Sequence, residues 1–222
     1  SNQKLLYNAL YHAANKTLSE LSQDPKHFGA RIGYICVLHT WGSMLNYHPH
    51  LHVIVLGGGL DKNNHWKDKG SKFFLPVKVM SPVFRRYYLS ELKLLHDTGK
   101  LKYTGKASCL KNDYEFKELM NKLYETDWIV YSKRTFAGAQ EVFQYLGKYT
   151  HRIAISNRRI VDMDEETVTF NAKDYKTDGK YHPMTISGEV FLSRFLLHVL
   201  PPGFVKIRYY GILACRCKKD NI

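Results

Sequence analysis

Three histidines, His48, His50 and His52, lie at alternate positions ahead of an apolar run at residues 53–56. The run is mostly β-branched, which predicts a buried strand. Residues two apart in a strand point to the same side and lie about 6.6 Å from each other. The imidazoles of His50 and His52 can therefore converge on one divalent cation. Because proline is favoured where a strand begins, Pro49 predicts that the regular strand starts at His50.

This histidine pair needs further ligands, because a hard divalent cation prefers oxygen and is seldom held by two imidazoles alone. We favour His48 as the third ligand, since it lies on the segment that leads into the strand. The candidates besides it are His39 on the preceding predicted strand, and Gln140 or Gln144 beside a pair of tyrosines. If no metal binds, the same histidines face solvent from a half-exposed strand.

The pair of tyrosines, Tyr145 and Tyr149, forms a second group of residues suited to chemistry. Residues 137–149 lack proline and predict a helix. Side chains four apart in a helix lie on the same face, so both hydroxyls emerge one turn from each other. Tyrosine hydroxyls can act as nucleophiles, although two tyrosines on one face can also pack as core residues. The basic neighbours that suit a phosphate at this face are Lys148, His151 and Arg152.

Three parts of the sequence resemble one known family. They are the histidine–leucine–histidine motif at residues 50–52 with three glycines at 57–59, the segment 145–157, and the segment 200–211. The first resembles the motif of the HUH endonuclease superfamily. Together they resemble the two-tyrosine rolling-circle transposases of the insertion sequence ninety-one family. The match runs from about residue 28 to residue 213.

The resemblance implies an enzyme that nicks and rejoins DNA through a 5′-phosphotyrosine intermediate, with Mg²⁺ or Mn²⁺ as cofactor. Its partner would be single-stranded or hairpin DNA at transposon ends. Tyr149 is favoured as the first attacker because it adjoins a polar, basic stretch, whereas Tyr145 has apolar neighbours. Relatives commonly carry a Gln or Glu near the position of Ser43, so this chain departs from the family pattern of metal ligands there.

The charge of the chain is consistent with DNA as the partner. Its 33 basic and 20 acidic residues give a net charge of +13, which favours a polyanion. Sixteen tyrosines offer surfaces for base stacking. A non-catalytic module that binds single-stranded nucleic acid would have the same charge and aromatic content. The residues expected at the DNA surface are Lys133, Arg134, Lys148, His151, Arg152, Arg158 and Arg159.

The order of predicted elements indicates an α+β fold with an antiparallel central sheet and flanking helices, which the resemblance identifies as the HUH fold. Helices are predicted at residues 3–21, 82–96, 113–124, 137–149 and 187–199. Strands are predicted at residues 30–41, 50–56, 128–131, 160–168, 169–173 and 205–213. We expect an N-terminal helical segment at 1–27, the catalytic domain at 28–213 and a C-terminal tail at 214–222.

Composition places the chain among soluble globular proteins, with 44% hydrophobic and 24% charged residues. No apolar run approaches the length of a membrane span. The four cysteines lack metal-finger spacing, so we expect a reducing cytoplasm. The resemblance implies a bacterial cell and association with the nucleoid. Because the sequence does not begin with methionine, we expect it to be part of a longer chain.

Overall fold

The computed structural model describes residues 1–68, 70, 75–133, 140–142, 144, 147, 154–173 and 179–214. The helices numbered here α1 to α4 are Gln3–Gln23, Val77–Asp97, Asp113–Glu125 and Gly188–Leu196. The strands β1 to β7 are Arg31–Trp41, Tyr47–Leu60, Trp66–Asp68, Ile160–Met163, Thr167–Lys173, Tyr181–Ser187 and Ile207–Gly211. Within this part of the chain, no helix combines the length and apolar character needed to cross a bilayer.

The first sheet has four strands in the order β3-β2-β1-β7. A turn at residues 42–46 joins β1 to β2. This turn is too short for the crossover that parallel strands need, so β1 and β2 are antiparallel. On the other side of β1, the Leu38 amide donates to the Lys206 carbonyl and the Ile212 amide donates to the Ile32 carbonyl. Strands β1 and β7 therefore run antiparallel. The central sheet is antiparallel, as predicted.

The second sheet has three strands in the order β4-β5-β6. Strand β5 alternates between buried and half-buried residues, and its inward side chains are Val168, Phe170 and Ala172. Strand β6 pairs with β5 along its whole length and has no counterpart among the predicted elements. Its sequence is mostly polar and contains Pro183, a pattern that fits an edge strand and gives little apolar alternation.

The chain divides into two compact units. One consists of Ser1–Cys36, Val53–Ala137 and Arg208–Ile222, and the other of Val37–His52 and Gly138–Ile207. In the first unit, α1 packs against α2, and Arg86 on α2 forms an ion pair with Glu20 on α1 at 2.8 Å. The second unit contains a hydrophobic core cluster whose buried residues are Leu45, Ala154, Ile155, Phe170 and Ala172.

Strand β2 begins at Tyr47 and includes Pro49, so the prediction that the strand begins at His50 is wrong. Among the described residues, β3 pairs with β2 at residues 58–60. The missing amide hydrogen of Pro49 therefore removes no hydrogen bond to β3. Residues 53–56 are half-buried and not buried as predicted, whereas the glycines at 58 and 59 are buried.

Helix α2 begins at Val77 after Pro76, so the prediction that this helix begins at residue 82 is wrong. The Ser81 hydroxyl donates to the carbonyl of Trp128. Pro82 is the sixth residue of α2, beyond the first turn, so its missing amide hydrogen costs one hydrogen bond within the helix.

Residues 126–133 have no regular secondary structure, so the prediction of a strand at 128–131 is wrong. The ring of Trp128 packs on Tyr88, with the ring centroids 5.3 Å apart, and its N–H donates to the Leu123 carbonyl at 3.0 Å. These contacts fix the tryptophan to α2 and α3. In this apolar segment, Trp128 thus anchors the chain to the two helices without forming a strand.

The glycines at the end of β2 provide a test of backbone packing. A Cβ at Gly59 would lie 2.4 Å from the carbonyl oxygen of Arg31, whereas a Cβ at Gly57 would have nothing within 4 Å. Gly59→Ala is therefore expected to lower the free energy of unfolding by about 1–3 kcal/mol, the usual cost of overpacking. Gly57→Ala is the matched control and should change it by less than about 1 kcal/mol. Urea unfolding followed by circular dichroism measures both, and equal effects would contradict the packing described.

Candidate functional site

Strands β1 and β2 bring three imidazoles together, those of His39, His50 and His52. One nitrogen from each ring lies within 4.8 Å of the others. His39 is buried and the other two are half-buried. Side chains two apart on a strand share a face, so Trp41 lies on the same face of β1 as His39. The two rings stack, with centroids 4.6 Å apart and an interplanar angle of 17°.

The spacing within this histidine cluster fits metal coordination. The Nε2 atoms of His50 and His52 lie 3.1 Å apart. Two nitrogens bound to one ion at about 2.0–2.1 Å are separated by about 2.9 Å at a right angle and about 3.4 Å at the tetrahedral angle. The observed separation lies between these values. The ring of His39 lies 4.4 Å from that of His52 and 5.6 Å from that of His50, centroid to centroid.

Backbone hydrogen bonding sets the protonation of His50. Its Nδ1 lies 2.7 Å from the carbonyl oxygen of His48. A carbonyl only accepts, so Nδ1 carries the proton and Nε2 presents its lone pair to the cluster. Burial lowers the pKa of His50, an effect that the hydrogen bond to His48 partly opposes. The ring is thereby kept in the neutral form that a metal ion requires.

His48, which the sequence favoured as the third ligand, has an exposed side chain. Among the described residues, the group able to hold a metal contains His39 in its place. The sequence carried a signal for this arrangement, because His39 and His50 lie at similar distances from the turn between β1 and β2. The glutamines that the sequence also offered as ligands, Gln140 and Gln144, are exposed.

The tyrosines predicted to be nucleophiles, Tyr145 and Tyr149, lie outside the described residues, as do four predicted DNA contacts: Arg134, Lys148, His151 and Arg152. The described positions of the predicted tyrosine helix, 140–142, 144 and 147, are helical.

The remaining predicted DNA contacts differ in their surroundings. Lys133 and Arg158 are exposed. Arg159 is half-buried and donates to the backbone carbonyls of Ser43 and Asn171. Its guanidinium thus contributes to the packing of the second unit, a role that the sequence did not predict.

Comparison with known proteins identifies the relatives of this chain. A family model described as "Putative transposase" matches residues 33–221. The chain is 43% identical over 222 residues to "Putative transposase y4qJ" of Sinorhizobium fredii, covering 100% of this chain and 56% of the relative. It is 27% identical over 212 residues to the "Transposase for insertion sequence element IS801" of Pseudomonas savastanoi pv. phaseolicola, covering 95% of this chain and 50% of the relative. The chain thus spans about half the length of these relatives. No solved structure matches it significantly.

Proposed function

The chain belongs to the transposase family whose model it matches, and we propose that it nicks and rejoins DNA through a 5′-phosphotyrosine intermediate. The observation that carries this proposal is the histidine cluster of His39, His50 and His52, whose nitrogens converge within 4.8 Å. We propose that these three side chains bind a divalent metal ion beside the scissile phosphate.

The proposed reaction is a transesterification. The hydroxyl oxygen of Tyr149 forms a bond to the phosphorus of a phosphodiester and loses its proton. The bond from phosphorus to the 3′ oxygen breaks, and that oxygen takes a proton to become a free 3′-hydroxyl. Attack by a 3′-hydroxyl on the phosphotyrosine restores a phosphodiester and releases the tyrosine. Tyr145 would carry the second of two successive transfers.

When bound, the metal ion supplies positive charge that polarises a non-bridging phosphate oxygen. The protein's part is to keep its ligands neutral and fixed. The carbonyl of His48 orients the ring of His50, and Trp41 stacks on His39. Contacts that fix the orientation of a ligand ring raise metal affinity. The cofactor is proposed to be Mg²⁺ or Mn²⁺, whose remaining coordination positions oxygen ligands would fill.

The proposed partner is single-stranded or hairpin DNA at transposon ends, bound in the bacterial cytoplasm beside the nucleoid. The net charge of +13 supports a partner rich in phosphate. Exposed basic residues such as Lys133 and Arg158 offer contacts to the DNA backbone.

Two adjacent arginines allow this binding surface to be tested. Arg158→Gln is expected to weaken binding to single-stranded DNA. The slope of the logarithm of the binding constant against the logarithm of salt concentration should fall in magnitude by about 1. The substitution should leave the free energy of unfolding unchanged, because Arg158 is exposed. Arg159→Gln, the matched variant, should lower that free energy, because the carbonyls of Ser43 and Asn171 lose their donor. Fluorescence anisotropy over a salt series and urea unfolding measure the two effects, and the reverse pattern would contradict both assignments.

Covalent trapping tests the proposed function. The chain is incubated with a labelled single-stranded oligonucleotide and Mn²⁺, then denatured and separated by gel electrophoresis. A nicking enzyme of this kind retains the label on the protein, and a chelator prevents it. A module that only binds nucleic acid releases all of the label on denaturation, which would refute the proposal.

A further inference from the structure

Side chains from outside the β1–β2 hairpin hold the turn that joins its strands. Three successive carbonyls of the turn each accept a hydrogen bond: Arg159 donates to Ser43, Arg194 to Met44 at 3.0 Å, and His198 to Leu45 at 3.1 Å. We call Arg159, Arg194 and His198 the turn clamp. All three belong to the same compact unit as the turn.

The turn has a conformation that calls for such support. Leu45 has a φ of 57°, in the left-handed region that side chains other than glycine rarely adopt. Its side chain is fully buried and packs in the core cluster of the second unit. A residue held in this region is retained only where its surroundings determine the conformation. The turn clamp, together with that packing, supplies these surroundings.

His198 also ties the turn to strand β1. Its side chain is buried, and because a carbonyl only accepts, Nε2 carries the proton donated to Leu45. In the neutral ring Nδ1 is then an acceptor, and it lies 3.3 Å from the hydroxyl of Thr40, which donates to it. Thr40 is the neighbour of His39 in β1. One imidazole therefore fixes both the turn and the residue next to a proposed metal ligand.

The turn clamp can affect the histidine cluster because it holds the turn that joins the two strands carrying the histidines. His39 lies on one strand of the hairpin, and the pair of His50 and His52 lies on the other. The spacing within the pair is a property of β2 alone, whereas the position of His39 relative to the pair depends on the turn. The edge contact between the rings of Trp41 and His198, 6.2 Å apart at 67°, adds a second link, because Trp41 stacks on His39.

We propose that the turn clamp positions His39 against His50 and His52 and thereby sets the metal affinity of the site. His198 is the central positioning residue, since it contacts both the turn and β1. This inference rests on the proposed function, because it presumes that the histidine cluster binds a metal ion. The residues of the turn clamp would position a metal ligand without binding the metal or taking part in the reaction.

His198→Phe tests the proposal, because phenylalanine keeps an aromatic ring and loses both hydrogen bonds. Loss of contacts that orient a ligand costs about 10–100-fold in metal affinity, and we expect a fall of this size in Mn²⁺ affinity by isothermal titration calorimetry. His198→Gln retains an N–H donor for Leu45 and should recover part of the affinity. Val199→Ala is the matched control, since Val199 is 56% exposed, and it should bind Mn²⁺ as the wild type does.

A double-mutant cycle with His39→Ala separates positioning from general loss of structure. If the turn clamp acts by placing His39, then His198→Phe should have no further effect on Mn²⁺ affinity once His39 is alanine. An equal loss in both backgrounds, or no loss in the wild-type background, would overturn the proposal. If His198→Phe does not fold, as judged by circular dichroism, Arg194→Gln takes its place in the cycle. Wild-type protein that binds no Mn²⁺ would overturn the proposed metal site along with the turn clamp, whereas unaltered binding by the variants overturns the turn clamp alone.

Discussion

His39→Ala is expected to lower Mn²⁺ affinity more than about 100-fold, because removal of a group that only orients a ligand already costs about 10–100-fold. DNA cleavage should fall to background at Mn²⁺ concentrations that saturate the wild type. Binding to DNA in the presence of a chelator should not change, since the buried imidazole of His39 offers no surface to the DNA backbone. Calorimetry, a gel assay for cleavage and fluorescence anisotropy measure the three quantities.

His48→Ala is the matched control for this prediction. The His48 side chain is exposed, and alanine keeps the backbone carbonyl that accepts the hydrogen bond from His50. Its Mn²⁺ affinity should stay close to the wild-type value. Loss of binding in His48→Ala with retention in His39→Ala would return His48 to the place of third ligand. Full cleavage by a variant with both His50→Ala and His52→Ala in the presence of a chelator would remove metal from the reaction altogether.

Substitution of the two tyrosines should have the second large effect. Tyr149→Phe removes the hydroxyl proposed to attack first, and we expect the covalent adduct with a labelled oligonucleotide to fall to background. Tyr145→Phe should still form that adduct and fail to complete the second transfer. Denaturing gel electrophoresis of each variant after incubation with DNA and Mn²⁺ distinguishes the two stages.

Tyr47→Phe is the control for the tyrosine variants, because Tyr47 is an exposed tyrosine on the strand that carries the histidine pair. It should form the adduct as the wild type does. An adduct retained by Tyr149→Phe and lost by Tyr145→Phe would reverse the proposed order of attack. An adduct retained when both Tyr145 and Tyr149 are phenylalanine would exclude both as nucleophiles.

Local sequence signals predicted those features whose physical cause is local. Helix α3 begins at Asp113, as the sequence predicts, and Asn112 caps it by accepting a hydrogen bond from the Tyr114 amide at 2.8 Å. The shared direction of His50 and His52 follows from the alternation of side chains along one strand. Neither kind of feature depends on how distant segments meet.

Features that depend on distant contacts were missed or misplaced. The role of His39 depends on pairing across the hairpin and on a turn held by residues far along the chain, so the pattern of β2 alone does not distinguish it from His48. Ser81 resembles a helix cap in sequence, but its hydroxyl is bound to the carbonyl of Trp128. Strand β6 owes its existence to pairing with β5, because its own sequence has little strand character.

The most direct test of a tyrosine-linked transesterification is to identify the atom that holds the DNA. Wild-type protein is incubated with an oligonucleotide and Mn²⁺, digested with protease and nuclease, and analysed by tandem mass spectrometry. The proposed reaction predicts a nucleotide joined through its 5′ phosphate to the peptide that contains Tyr145 and Tyr149, and no such species with a chelator present. A nucleotide attached to any other residue, or cleaved DNA with no attached peptide, would contradict it.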